Sequence, residues 1–504
     1  MMRKLFASLV TSLFVLSGSA QSSKIEGSWI MLKPDGSGVQ PYLKNYLPNG
    51  KILGISFSQD MRNQSPWIMG TYEVLNDSVF IEHDEFHSSI AYQHDFRFDY
   101  RRENDSILVT RYFDRQPNAQ EVSVAEAWKK VDYTVGDVVL HWDEVKQQAL
   151  AAFGRVAPEG KTVEEFGEEL YKQHQNFKQQ NNLDGAVGVL MVRAEADTTN
   201  LKWQRDLVSY LIELKALPAA ADKYANRMVR LSEQQAPTPT DTSVVSAYRG
   251  RGLLFGNAAN VKPEYAERAL SDFKKSLDLT KASGRPYTKD DGVTLFFISS
   301  MYFTQEKLDD ALAYCNQAIT TLNSAPTVLG TQCGEAYFLK GLILAGEEQN
   351  REAIDILLQK AAPFFVNEQG KPMPKIEMEI YPLAFSLYGQ MLNKAPKDKK
   401  LIKEYQQFTA DKVMCGLVTN NAGKAHEAGL EGEYYVMEAG KWNVESLNGF
   451  ERGCTHFVLQ KDGKHIEIDL EEGQEQGAQM LVKTVDPAYK QQIIKLWKNY
   501  KKKK

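Results

Sequence analysis

The sequence predicts a multidomain protein of β plus α class: a small β-barrel, a long helical solenoid behind it, and a small α+β segment capping the end. Three observations predict this. Short runs with period-two alternation fill Gly27 to Val131, a helical period then holds to about residue 415, and that period fades beyond Gly416. A chain of 504 residues also exceeds what one compact core accommodates. The expected division is a leader at 1–20, the barrel at 21–132, the array at 133–415 and the C-terminal segment at 416–504.

Composition excludes several classes. Hydrophobic residues make up 43% and charged residues 25%, which fits neither a disordered chain nor a polytopic membrane protein. Sixty basic residues against 65 acidic give a net charge of -5, and only Lys501 to Lys504 concentrate one sign. A nucleic-acid partner, which needs a clustered basic face, is not expected. The terminal lysines read as a solvated end rather than a membrane-surface anchor.

The first residues have the order of a secretion signal. Arg3 and Lys4 precede an apolar run from Leu5 to Leu16, and Gly18-Ser19-Ala20 offers small side chains before a cut. The run is shorter than the ~20 residues a spanning helix needs, so no transmembrane anchor is expected. No cysteine follows it to take a lipid, and the expected product is exported, either periplasmic or secreted. The four cysteines are Cys315, Cys333, Cys415 and Cys454, with no CxxC spacing. Export permits disulfides, and Cys415 with Cys454 is the pair to test among the pairings that spacing leaves open. Cys315 falls at a helical core position, where a buried free thiol is expected.

In the first domain the candidate strands are Trp29 to Leu32, Lys51 to Phe57, Trp67 to Leu75, Ser78 to His83, Phe96 to Arg102, Ser106 to Phe113 and Val122 to Val131. Pro48-Asn49-Gly50 and Leu75-Asn76-Asp77 supply turns. Seven or eight strands so closely spaced suggest a sandwich or barrel. Gly27-Ser28-Trp29 resembles the Gly-x-Trp signature of lipocalins. Leu47 to Ile52, Gly70 to Val74 and Glu126 to Val131 are similar to the small lipocalin-like domains of bacterial secreted proteins. That resemblance implies that Trp29 packs across the closed end of the barrel against Lys129 or Lys130. It also admits a small apolar ligand inside, unless the barrel is filled by its own side chains. His83 and His87 would share a strand face and, with His94, raise a metal site; the competing reading is surface histidines near a strand end.

The helical region repeats. Leu295, Ile298, Ser299 and Tyr302 on one helix are followed by Leu308, Ala311, Cys315 and Ala318 on the next. Gly341 then precedes Ala353 by twelve residues, as Ser299 precedes Ala311. Weaker copies are expected around Ala186, Ala220 and Ala269, with Met378 to Val413 as a sixth candidate. This pattern of small residues resembles the tetratricopeptide (TPR) repeat.

Such helix pairs stack to bury their apolar faces, leaving a groove lined by the first helix of each pair. The resemblance places Phe296, Ser300, Phe303, Phe338 and Leu342 on that groove, as apolar contacts for a protein or peptide partner; burial against a neighbouring helix is the alternative for the aromatics. Arg249 and Arg251 could grip a carboxylate, against a solvated helix face. Towards the end, Phe457 to Gln460 and His465 to Leu470 form a hairpin through Lys461-Asp-Gly-Lys, and Pro487 to Tyr500 forms an amphipathic helix.

No GxSxG elbow, P-loop, HExxH or kinase signature is present, and no cofactor is implied. The leading expectation is a non-catalytic protein- or peptide-binding scaffold of the bacterial cell envelope acting through the TPR-like repeats. The alternatives are a carrier using the barrel and an enzyme without local motifs. A carrier predicts a hollow apolar barrel interior, and an enzyme predicts polar groups clustered in a cleft.

Overall fold

The computed structural model describes residues 25–58, 64–135, 140–324 and 330–412, and in the C-terminal part 414–419, 429–430, 432–439, 442–443, 456–461, 464–469, 478–483 and 487–502. The leader expected at 1–20 and the side chains of the Cys415 and Cys454 pair lie outside the described residues. The chain divides into two compact units, 1–285 and 286–504.

The first unit begins with eight antiparallel strands: β1 Gly27–Leu32, β2 Val39–Tyr46, β3 Lys51–Phe57, β4 Gln64–Asn76, β5 Val79–His87, β6 Asp95–Asn104, β7 Ile107–Arg115 and β8 Glu121–Val131. Each pairs with the next, and β1 closes on β8 with Trp29 opposite Lys130. Closure removes both sheet edges, which would otherwise expose unpaired backbone groups. Trp29 is fully buried at one end, donates from Nε1 to the Ile25 carbonyl at 2.8 Å, and lies under the Lys130 ammonium at 5.6 Å and the Arg102 guanidinium at 5.8 Å.

The sequence reading missed β2. Pro41 lies in its exposed first half, and Lys44 and Asn45 are buried where a strand of this kind is expected to show apolar residues.

The barrel is not a separate bead. Its outer face at Leu43, Leu53, Ile55, Met69 and Phe86 is apolar and is covered by helix α1, Trp142–Ala152, through Trp142 and Ala149. Helices α2 Val163–Gln179, α3 Leu183–Ala196, α4 Leu201–Glu213, α5 Ala221–Gln235, α6 Thr242–Gly256 and α7 Pro263–Ala282 complete the unit. The loop after β7 and the start of β8 dock on them: Leu217 donates its N–H to Pro117 O at 2.7 Å, and Lys262 pairs with Glu121 at 2.6 Å. Arg115 pairs with Asp222 and donates to Pro218 O at 3.0 Å and Tyr265 Oη at 3.3 Å.

A shared local geometry marks the helices as TPR-like. Asn181 and Lys215 are left-handed, with φ of 55° and 52°, and the next N–H returns to the carbonyl five residues back, Asn182 to Phe177 and Ala216 to Leu211. This is the Schellman stop that lets one helix end and its antiparallel partner begin. In the second unit Glu306 and Glu348 repeat it, with Lys307 returning to Tyr302 and Gln349 to Leu344. Between the paired helices, His174 Nδ1 lies 3.1 Å from Ala186 O, and Ser299 Oγ donates to Ala311 O at 2.7 Å. Both contacts span twelve residues. The alanines at 186, 220, 269, 311 and 353 are all fully buried, as close helix approach requires.

The second unit contains α8 Lys289–Thr304, α9 Leu308–Ser324, α10 Gly330–Gly346 and α11 Asn350–Asp355, which continues into a π-helical turn, Ile356–Ala361. A second π-helical turn, Ile376–Ile380, leads into α12 Tyr381–Lys394, and α13 Lys399–Lys412 follows. Leu401, Tyr405 and Phe408 fill the face of α13 where the sequence lacks a small residue.

A six-stranded sheet comes next, formed by β9 Met414–Thr419, β10 Gly432–Ala439, β11 Trp442–Asn443, β12 His456–Lys461, β13 Lys464–Asp469 and β14 Ala478–Lys483. The β12–β13 hairpin pairs Lys461 with Lys464, as the turn chemistry predicts. The last helix, α14 Pro487–Lys501, buries Ile493 and Trp497 in one core with Phe385, Tyr405, Val436 and Leu459. The C-terminal segment therefore covers the apolar face of the last helices, as a cap does.

Candidate functional site

Two places gather the side chains that could act on another molecule. One is the face of α8 and α10. Phe296, Ser300 and Phe303 follow one another at helical spacing on α8 and are each partly exposed. The Phe297 ring meets Phe296 edge-on at 5.6 Å. Leu342 on α10 is partly exposed too, and α8 and α10 pack side by side. Phe338, expected on the same groove, is instead 8% exposed and belongs to the core. The Lys375 ammonium, paired with Glu335 and Glu379, lies 4.3 Å above its ring and covers it.

The other place is the barrel interior. Period two aims Lys44 of β2, Glu82 and Asp84 of β5, Thr110 of β7 and Glu126 of β8 inward, in phase with Tyr46, Phe80 and Trp128. Lys44 Nζ lies 3.0 Å from both Glu82 oxygens, and Tyr46 Oη donates to Glu82 Oε1 at 2.5 Å. The same ammonium sits among three aromatic rings, Phe98 at 4.8 Å, Trp128 at 5.3 Å and Trp67 at 5.5 Å. Burial disfavours the charged lysine, but Glu82 and Glu126 outweigh it and raise its pKa.

Asp84 is 5% exposed, and neither of its carboxylate oxygens has a hydrogen-bond partner; Glu126 Oε2 has none either. Burial, then the neighbouring Glu82, holds Asp84 well above the usual carboxylate range, and burial also raises Glu126. The interior thus sets one ammonium and three carboxyl groups among its aromatic core, unlike the uniformly apolar lining that a small apolar ligand would require.

Of the histidines near β5, His83 is at the surface as one reading of the sequence expects, whereas His87 and His94 are partly buried. A bulge where β5 meets Met69 and Gly70 reverses the phase, so His83 and His87 do not share a face. His83 lies outside, 3.1 Å from Asp95. His87 packs its ring 5.6 Å from Trp67 and 5.5 Å from Tyr92, and burial lowers its pKa to about 4. His94 stacks 4.0 Å from Phe96. Among the described residues no group of three or more His, Cys, Asp or Glu could hold a metal.

Arg251 is not a free carboxylate grip. Its Nε and Nη2 each donate to Asp272 at 2.7 Å, tying α6 to α7. Cys315 and Cys333 are buried free thiols, and burial pushes the Cys315 thiol up to about 11. Among the described residues no helix is long and apolar enough to cross a membrane.

Residues 22–137 match a family model described as a domain of unknown function (DUF4488), which coincides with the barrel. No curated protein matches the chain. Among solved structures, BtubC (BKLC) from P. vanneervenii is 11% identical over 50% of this chain and 92% of its own, with a TM-score of 0.34. YrrB, a TPR protein with an unusual peptide-binding site, is 17% identical over 45% of this chain and 95% of its own, with a TM-score of 0.28. A thermophilic TPR protein from Thermus thermophilus is 13% identical over 48% of this chain and 98% of its own, with a TM-score of 0.24. The TPR-like character of the helices rests on the recurring stop and the twelve-residue contact within this chain.

Proposed function

We propose that the chain is a non-catalytic scaffold of the bacterial cell envelope that binds a protein or peptide through its TPR-like helices. The observation that carries this reading is the row of partly exposed apolar side chains, Phe296, Phe303 and Leu342, on adjoining first helices of two pairs. A helix pair buries one face against its neighbours, and the remaining face is free to receive an extended or helical segment. Export is supported by the order of basic, apolar and small residues across 1–20.

The test is a crosslinking pull-down from the native envelope fraction with the full mature chain, comparing wild type with Phe296→Ala/Phe303→Ala. Both positions are partly exposed, so the variant is expected to fold. A specific protein enriched by wild type and lost with the double variant is the expected result. Equal enrichment by both chains would place the contact elsewhere and remove the basis for this reading. Separating the barrel from the helices is not a usable control, because α1 covers the barrel wall and Arg115 anchors it to α5 and α7.

A further inference from the structure

The barrel interior contains more negative groups than its own cation satisfies. Lys44 and Glu82 form a close pair, which leaves both Asp84 oxygens and Glu126 Oε2 without a hydrogen-bond partner, with the one Lys44 ammonium acting on all three carboxylates through its charge. Lys223 of α5 is the next cation towards Asp84, but it is committed to Glu195 at 3.0 Å and to Gln93 O at 3.2 Å. Burying an unpartnered carboxylate costs several kcal/mol, so such a group takes up a proton unless a cation supplies the missing charge, and raised carboxyl groups of this kind gather at functional sites.

Above these carboxylates stands a collar of aromatic rings in contact with one another: Tyr42 to Trp67 at 5.5 Å, Trp67 to His87, His87 to Tyr92, and Phe96 to Tyr112 at 5.4 Å. The collar reaches solvent, because Tyr42 and Tyr92 are each 37% exposed. Electron-rich ring faces over an acidic floor are the arrangement that recognises ammonium groups. The barrel interior already shows that chemistry on its own lysine, since the Lys44 ammonium sits among Trp67, Phe98 and Trp128.

We propose that the barrel interior is a binding site for a small organic cation with an ammonium head, admitted at the Tyr42 and Tyr92 rim and held by Asp84 and Glu126. An anion is repelled by the same two carboxylates, and a neutral apolar molecule would leave them uncompensated. This site is independent of the α8 and α10 face, and neither reading needs the other.

The experiment is saturation-transfer NMR on the full chain, with n-butylammonium as the probe and butyrate and calcium chloride as comparators. Saturation of n-butylammonium, none of butyrate, and no displacement by calcium are expected. Asp84→Asn and Glu126→Gln should each weaken binding by about tenfold or more, while Asp99→Asn on the exposed outer face should not. Asp84→Asn keeps the side-chain shape and is expected to fold. Should it fail to fold, Tyr42→Leu at the exposed rim decides, with affinity falling about two- to fivefold. The proposal is overturned by absence of n-butylammonium binding, by equal binding of butyrate, or by displacement with calcium. Unchanged affinity in the deciding variant overturns it as well.

Discussion

Lys44 and Glu82 face each other across the barrel interior with the ammonium 3.0 Å from both carboxylate oxygens, and neither side chain reaches solvent. A buried pair of this kind contributes little net stability when whole, but loss of one partner strands a charge. Lys44→Met is therefore expected to destabilise the first unit by about 3–5 kcal/mol. Lys44→Met combined with Glu82→Gln should recover part of that loss. Urea unfolding followed by tryptophan fluorescence measures both, and a double variant no better than the single would show that packing, not charge, dominates.

Asp84 gives the opposite sign. Its folded-state pKa is raised by burial and by Glu82, so the unfolded chain ionises first as pH rises above the ordinary 3.8. Stability attributable to Asp84 is therefore present below that value and is lost as pH rises through the folded pKa. Asp84→Asn should flatten this slope and raise the melting temperature at pH 7. A variant less stable than wild type at pH 7 would contradict the assignment of Asp84 as an uncompensated buried acid.

His87 titrates in a neighbouring window with the reverse trend. Burial lowers its folded pKa to about 4 from an ordinary 6.5, so the unfolded state takes up a proton first as pH falls. Stability is expected to decline between pH 6.5 and 4, by a total on the order of 3 kcal/mol. Because Asp84 acts against it over part of that range, the effect is read as the difference between wild type and His87→Gln. Parallel pH profiles for the two chains would mean that His87 keeps its ordinary pKa.

Much of this architecture was legible in the residues. The Pro48-Asn49-Gly50 turn reflects a local rule, while Gly27-Ser28-Trp29 and the Ser299 and Ala311 spacing are legible through family resemblances, and the structure places all three as expected. The cluster of charged groups inside the barrel was less legible because Lys44, Glu82, Asp84 and Glu126 come from three strands scattered along the sequence. A signal was present nonetheless. Glu126 is two residues from Trp128, and Glu82 and Asp84 are in phase with Phe80, so strand parity places all three acids on the inner face. His83 and His87 misled because a bulge breaks that parity between them. Phe338 misled because its cover, Lys375, lies far along the chain in a stretch with no repeat signature.

Arg115 tests whether the barrel and the first helices unfold together. Its guanidinium satisfies the Pro218 and Ala219 carbonyls, pairs with Asp222 and reaches Tyr265, and Asp222 is also held by Arg268 at 2.8 Å. Arg115→Met leaves those acceptors and a carboxylate short of a partner at a half-buried junction, and a loss of about 2–4 kcal/mol is expected. Calorimetry should show the first unit's transition broaden or split, with the barrel melting apart from α5 and α7. A single shifted transition of unchanged width would mean that α1, through Trp142 and Ala149, is enough to keep the unit cooperative.

Two glycines on helices separate packing from propensity. At Gly341 on α10 an added Cβ would meet Leu357 Cγ and Cδ2 at 2.7 Å, whereas at Gly188 on α3 nothing lies within 4 Å. Alanine is the better helix former by about 1 kcal/mol at either site. Gly188→Ala is therefore expected to stabilise by about that amount. Gly341→Ala should destabilise by about 1–2 kcal/mol net, because the overpacking cost exceeds the propensity gain. Thermal unfolding of the two variants decides the matter, and equal stabilisation by both would mean that the contact between the helices of this pair yields easily. In that event Gly341 would not be the residue that sets the close approach of α10 to the turn carrying Leu357.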